Sequence, residues 1–199
     1  MRVSQEKVDD LLAFAERKIS DLEIYYKDEK IPVFWIRFLF FFVGIVGFFN
    51  RGFKKRWESS ISNGLGGRYL IFPSRKTHSD LRDYRVYKIF RHELVHLIDQ
   101  RKRPIWFNLT YALLPLPILL SGRSHWEFRG YAQNLIVRFE EFGYIDDSYL
   151  EWIADQFTGS LYLWMYPFRG SLMKKLRRLR EAIVSGDVSG KYPDLKFFG

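Results

Sequence analysis

The residues whose types and spacing specify a chemistry are His92, Glu93 and His96, in the run His-Glu-Leu-Val-His. On a helix, residues four apart lie ~40° from each other around the axis, so both imidazoles can point at one metal ion. Glu93 lies ~100° from His92, beside the metal and not on it. A carboxylate in that place is suited to act as general base toward a water that the metal polarises. The pattern therefore predicts a metal centre with hydrolytic chemistry.

The helix that must carry these residues is predicted from about Asp83 to Lys102. Apolar residues recur along it at three- and four-residue spacing, and a cationic run followed by Pro104 ends it. A short strand at 68–72, ended by a proline, is predicted to precede it. Asp99 lies ~20° from His92 around the helix axis, so it is either a hydrogen-bond acceptor for a ligand imidazole or an ordinary polar residue near a helix end.

Two imidazoles do not complete a catalytic zinc centre, which needs three protein ligands, so a third must come from elsewhere in the chain. Glu127 is the best candidate, because it lies in a helix predicted at 124–142 and has Tyr131 four residues later on the same face. The phenol of Tyr131 can donate a hydrogen bond to a developing oxyanion. The other candidates are His78, predicted to be a surface histidine, His125 on nearly the opposite helix face, Glu151 and Asp155.

Taken together, the segments 69–73 and 92–99 and the pair Glu127 and Tyr131 resemble a small zincin-type metallopeptidase of the gluzincin kind. The resemblance covers about residues 66–164. It implies a strand along a substrate cleft, an active-site helix and a second helix that supplies a glutamate ligand. Gly130 departs from the pattern, since many such sequences carry a helix former there, and the third histidine of the metzincin branch is absent.

The resemblance also implies roles for particular residues. His92, His96 and Glu127 would hold Zn²⁺, Glu93 would be the general base, and Tyr131 would hold the oxyanion. The substrate would be a peptide or a protein.

A second unusual stretch is residues 31–49, whose core at 38–49 is uncharged and rich in phenylalanine. This core is shorter than the ~20 residues that a membrane-spanning helix needs. The cationic and aromatic residues 50–57 that follow it are typical of a membrane interface. The sequence leaves three interpretations open: a membrane span, a segment lying on a membrane, or a segment packed in a protein interface.

The composition limits which class of protein this can be and which kinds of partner we expect. The 199 residues are 47% hydrophobic and 19% aromatic, enough for one substantial core, and the net charge of +9 favours anionic partners. We expect contacts with an anionic membrane surface or a protein assembly, made through the Phe-rich stretch and a basic helix predicted at 171–185. Nucleic acid is an unlikely partner, because the basic residues lie on helices without a recognition module.

Cysteine is absent, which fits a reducing compartment, and residues 2–28 lack the apolar core of a signal peptide. We therefore expect an intracellular protein that is associated with a membrane or belongs to a particle.

These patterns predict an α+β fold that is mostly helical. It would be a minimal zincin-like body with a short strand or small sheet before the active-site helix, plus an N-terminal helical and hydrophobic arm. The arm, with an amphipathic helix at 4–27, would occupy 1–58, the metallopeptidase domain 59–168, and a basic helix with an extended tail 169–199.

The leading functional interpretation is a zinc-dependent metallopeptidase held at a membrane or in a large assembly. One alternative is a non-catalytic assembly component built on a zincin-like domain, whose aromatic and basic segments dock its neighbours. Another is a cell-wall-cleaving zinc hydrolase, because the same metal chemistry serves peptide cross-links.

Overall fold

The structure, a computed structural model, describes residues 1–29, 55, 58–64, 66–112, 121–159 and 165–191. These residues form eight helices and three short strands, which confirms a mostly helical α+β fold with a small sheet before the long helix. In chain order they are α1 (Gln5–Lys18), β1 (Glu23–Tyr26), β2 (Ser62–Asn63), β3 (Tyr69–Phe72), α2 (Arg75–Ser79), α3 (Tyr84–Lys102), α4 (Pro104–Ala112), α5 (Ser121–Phe142), α6 (Asp147–Thr158), α7 (Arg169–Val184) and α8 (Val188–Lys191).

The chain divides into two compact units, an N-terminal unit at Met1–Pro104 and a C-terminal unit at Ile105–Gly199. The N-terminal unit holds the sheet and the long helix α3, and the C-terminal unit is helical in its described part. The three segments predicted from the sequence, with boundaries at 58/59 and 168/169, stay a prediction.

The sheet has the strand order β1-β3-β2 and mixed direction. β1 runs parallel to β3, with Glu23 opposite Tyr69, and β2 runs antiparallel to it, with Ser62 opposite Ile71. All four residues of β3 are buried, as expected for a central strand of apolar residues. β3 is the central strand, and the edges of the described sheet belong to β1 and β2. The substrate cleft that the resemblance implied along β3 stays a prediction.

The N-terminal helix is shorter than the predicted one. A helix was expected to run to Lys27, but α1 ends at Lys18. After a turn, the chain continues as the strand β1. The tripeptide Ile-Tyr-Tyr within β1 has high strand propensity and pairs along its length with β3, so long-range pairing overrides the local helical spacing.

The long helix α3 matches its predicted bounds closely. The Asp83 side chain caps its first turn by accepting hydrogen bonds from the backbone N–H groups of Arg85 and Val86, at 2.9 and 3.3 Å. Its C-terminus is closed by the backbone N–H of Arg103, which donates to the Asp99 carbonyl at 3.0 Å. Its apolar residues Leu94, Val95 and Leu97 are fully buried, so the helix is anchored on several sides.

Two predicted elements of the C-terminal unit end elsewhere than expected. The apolar spacing of residues 150–164 predicts a helix at 147–165, but α6 ends at Thr158. Gly159 caps it: its N–H donates to the Asp155 carbonyl at 2.8 Å, and a Cβ on Gly159 would come within 2.6 Å of the same oxygen. The tail predicted to be extended from Gly186 forms the short helix α8 at its start. The basic helix predicted at 171–185 is confirmed as α7.

No helix in the described ranges is both long and apolar enough to cross a membrane. The Phe-rich stretch at 31–49 lies outside those ranges, so its three interpretations and the expected anionic partners stay predictions.

Gly67 connects the loop before β3 to the end of α3, where its backbone N–H donates to the buried Gln100 Oε1 at 2.8 Å. Its φ of 68° lies in the left-handed region, and an added Cβ would approach the Arg101 backbone nitrogen to 2.8 Å. We expect Gly67→Ala to lower the free energy of unfolding by about 2–4 kcal/mol, because backbone strain and a backbone clash add.

The matched control is Gly143→Ala, since Gly143 has a φ of 75° but nothing within 4 Å of the added carbon. This substitution should lower the free energy of unfolding by about 1–2 kcal/mol, because only the backbone strain is present. Urea denaturation measures the free energy of unfolding of both variants. An equal decrease in the two would contradict a clash between the added carbon at Gly67 and the Arg101 backbone.

Candidate metal centre

Helix α3 brings the two predicted histidine ligands together. His92 and His96 are one turn apart and only 8% and 1% exposed, and their Nε2 atoms lie 3.1 Å from each other. Two imidazole nitrogens bound tetrahedrally to zinc at about 2.0–2.1 Å would be about 3.3 Å apart. The pair therefore already has nearly the spacing that a shared metal ion needs.

Glu127 joins the histidine pair. It is 3% exposed, and His92, His96 and Glu127 form a buried group whose ligand atoms all lie within 4.8 Å of one another. Within the residues that the structure describes, this is the group of histidine and acidic side chains found able to hold a metal ion. Two imidazoles and one carboxylate are a donor set of catalytic zinc sites, with a fourth position left for water.

Tyr111 on α4 is a partner of the site that the sequence did not predict. Its hydroxyl donates a hydrogen bond to Glu127 Oε1 at 2.6 Å, which fixes the orientation of the carboxylate. The Tyr111 ring stacks on Phe107 with the ring centres 5.1 Å apart, and the Arg123 guanidinium lies over it at 5.3 Å. In the sequence, Tyr111 lies within an apolar run at 104–120, and a phenol in such a run does not by itself indicate a metal site.

Close packing of α4 on α5 positions this pair. The indole N–H of Trp126 donates to Thr110 Oγ1 at 3.0 Å, one residue before each member of the Tyr111–Glu127 bond. Gly122 permits the approach, because a Cβ there would lie 2.4 Å from the Thr110 Cβ. Residues 104–112 thus form a helix that supports the candidate ligand Glu127.

Glu93 differs in its exposure from the group of His92, His96 and Glu127. It is half-buried, whereas the histidines on either side of it along α3 are buried. A general base has to reach a water and a substrate, so partial exposure suits that role. Burial lowers the pKa of the nearby Lys27 to about 7, and the negative charges of Glu93 and Glu58 oppose that shift.

The predicted oxyanion donor Tyr131 is buried on α5. Its ring packs against Phe157 and Trp152 of α6, with ring centres 5.4 and 6.1 Å apart. The ring therefore contributes to the core of the C-terminal unit, and its role toward an oxyanion stays a prediction. Asp99 is buried, and its predicted hydrogen bond to a ligand imidazole also stays a prediction.

The remaining ligand candidates are not members of the group of His92, His96 and Glu127. His125, Glu151 and Asp155 are exposed, and Asp155 pairs with Arg169. His78 was predicted to be a surface histidine, and this was wrong: it is half-buried, with its Nδ1 2.8 Å from the hydroxyl of Tyr26. Burial, and then the charge of Arg75, lower the pKa of His78.

Comparison of the chain with family models, with curated proteins and with solved structures finds no significant match in any of the three.

Removal of the Tyr111 hydroxyl should weaken metal binding without emptying the site. In Tyr111→Phe, Glu127 loses the donor that orients its carboxylate, so we expect zinc affinity to fall about 10- to 100-fold. Competition with a chelating dye measures the zinc affinity. Tyr166→Phe is the control, because its hydroxyl makes only a 3.4 Å bond to the exposed Ser171 and should leave the affinity unchanged. An unchanged affinity in Tyr111→Phe would show that the bond does not support the site.

Proposed function

We propose that this protein is a zinc-dependent peptide-bond hydrolase. The observation that carries the proposal is the buried group of His92, His96 and Glu127, with the half-buried Glu93 next to the first ligand. A purely structural zinc site has four protein ligands as a rule, whereas two histidines and one glutamate leave a coordination position open. The open position and an adjacent carboxylate are the two requirements for hydrolysis of an unactivated amide.

The donor set favours zinc among the common metals. The chain has no cysteine, so thiolate-based sites are excluded, and a magnesium or calcium site would use mainly oxygen ligands. Imidazole nitrogen is a good ligand for zinc, and the 3.1 Å spacing of the histidine nitrogens suits tetrahedral coordination.

The residues divide the work of hydrolysis between them. Zinc bound by this group would supply a Lewis acid and lower the pKa of a water toward neutrality. Glu93 takes the proton of the attacking water and later delivers it to the leaving amine, so one carboxylate serves as base and then as acid. Tyr111 holds Glu127 so that the carboxylate does not rotate away during the reaction.

The decisive variant is Glu93→Gln. An amide cannot accept the proton of the water, but it has the size of the carboxylate and leaves the three ligands in place. We expect zinc stoichiometry near one per chain and a loss of peptide hydrolysis of at least about 100-fold, the usual range for loss of a general base. Elemental analysis and cleavage of quenched fluorescent peptides measure the two. Persistent hydrolysis in this variant would overturn the mechanism.

Metal content itself tests the ligand assignment. In Glu127→Ala a ligand is lost, so bound zinc should fall well below one per chain after dialysis against a weak chelator. Glu140→Ala, which removes an exposed glutamate of the same helix, should keep wild-type zinc content. A full complement of zinc in Glu127→Ala would contradict its role as a ligand.

A further inference from the structure

A pocket in the N-terminal unit has no part in the chemistry proposed above. It has a volume of about 490 Å³, within the ~300–1,000 Å³ that small-molecule sites usually have. Its walls come from α1, β1, α2 and the segment that joins α2 to α3, and they include neither Glu93 nor the three candidate metal ligands. A ligand of this pocket would therefore be recognised by residues other than those of the hydrolase site.

Two of the residues that line the pocket, Arg75 and Arg82, are charged. The guanidinium of Arg75 is compensated, because it donates two hydrogen bonds to the Glu29 carboxylate. Arg82 is exposed, and its Nε donates to a neutral acceptor, the Val3 carbonyl oxygen, at 3.4 Å. Across the described part of the chain, no carboxylate forms an ion pair with Arg82. The pocket wall thus carries one positive charge that a ligand could neutralise.

His78 and Tyr26 add an oriented hydrogen-bond donor to the same wall. Burial, and then the charge of Arg75, lower the pKa of His78, so its ring is uncharged at neutral pH and has a single N–H. The Tyr26 hydroxyl lies 2.8 Å from His78 Nδ1 and has no other acceptor in the described structure, so it donates to this nitrogen. The ring proton is then on Nε2, which has no protein partner among the described residues. Contact with the Phe72 ring, whose centre is 4.6 Å away, holds the imidazole in place.

Apolar side chains form another part of the wall. Val8 and Leu12 of α1 and Leu81 before α3 line the pocket, and Val8 and Leu81 are only 4% and 6% exposed. An apolar chain in contact with these residues would be removed from water, which favours binding. The positive charge and the free donor belong to Arg82 and His78, so a fitting ligand has an apolar body and an anionic head.

We propose that this pocket binds a small monocarboxylate with an apolar chain. The carboxylate is held by the Arg82 guanidinium and by the Nε2–H of His78, and the chain lies on the apolar part of the wall. A guanidinium can bind both oxygens of a carboxylate, which adds geometric selectivity to the attraction between the charges. One uncompensated cation matches one negative charge, whereas a phosphate dianion would keep a second charge without a partner.

Octanoate is the probe, added to the zinc-loaded full chain with isotope-labelled histidine. NMR should show a saturable shift of the His78 ring signals, because the Nε2–H gains an acceptor. The alcohol 1-octanol has the same chain length without the charge and should bind at least about 10-fold more weakly, the usual effect of losing a hydrogen bond between charged groups. Octyl phosphate should bind no more tightly than octanoate, and tighter binding would contradict the assignment to a monoanion.

Variants of the pocket wall test which residues hold the probe. Arg82→Gln removes the charge and should weaken octanoate binding at least about 10-fold. Arg85→Gln is the matched control: it removes another exposed arginine, one that does not line the pocket, and should leave the affinity unchanged. Leu12→Trp fills the apolar part with a larger ring and should abolish the shift although Arg82 is retained. Wild-type affinity in Arg82→Gln, or in Leu12→Trp, would overturn the proposal.

A carboxylate can also bind zinc directly, and protein without the metal separates the two sites. In Glu127→Ala dialysed against a weak chelator, octanoate should bind with wild-type affinity and shift the same His78 signals. Loss of binding in Glu127→Ala, with full binding retained in Arg82→Gln, would place octanoate at the metal and overturn the proposal. Neither result depends on whether the zinc-loaded protein cleaves peptides, so this proposal and the proposed function can fail separately.

Discussion

The structure depends on how two imidazoles and a carboxylate are held together away from water. Buried polar groups cost free energy unless they have partners, and His92, His96 and Glu127 are all nearly inaccessible to solvent. Their possible metal-ligating atoms converge, and the Tyr111 hydroxyl donates a hydrogen bond to the Glu127 carboxylate. A divalent cation at the point of convergence would turn three costly buried groups into a stabilising set, so binding of a metal there would also raise the stability of the fold.

Elements with strong local signals could be predicted from the sequence. α3 was predicted almost to the residue, because Asp83 is a good N-cap and the cations with Pro104 mark its end. Glu127 was predicted as the third ligand from its place on a later helix, and the structure places it with His92 and His96 in a group that could hold a metal ion. The α3 prediction rests on residues close together in the sequence, whose local signals define the ends of a helix. The Glu127 prediction rests on its four-residue spacing to Tyr131 and on the resemblance to gluzincin-type sequences.

Features created by pairing between distant segments could not be predicted in this way. Residues 23–26 satisfy a helical spacing as well as a strand pattern, and only the presence of β3 decides between them. The bond from Tyr111 to Glu127 depends on how closely α4 approaches α5, which Gly122 permits. His78 was taken for a surface residue because its burial comes from Tyr26 and Phe72, which are adjacent only in the folded unit.

The bond between Gly67 and Gln100 has a mechanical consequence. Gln100 lies one turn after His96 and two turns after His92 on α3, so the three side chains follow nearly one stripe of the helix. A bond from the Gly67 backbone to that stripe resists rotation of α3 about its own axis. An imidazole nitrogen lies about 6–7 Å from the axis, so a turn of 10° would move it by about 1 Å, twice the tolerance of a metal site. The loop before β3 thus limits rotation of α3 about its axis, which keeps the imidazoles of His92 and His96 directed at one point.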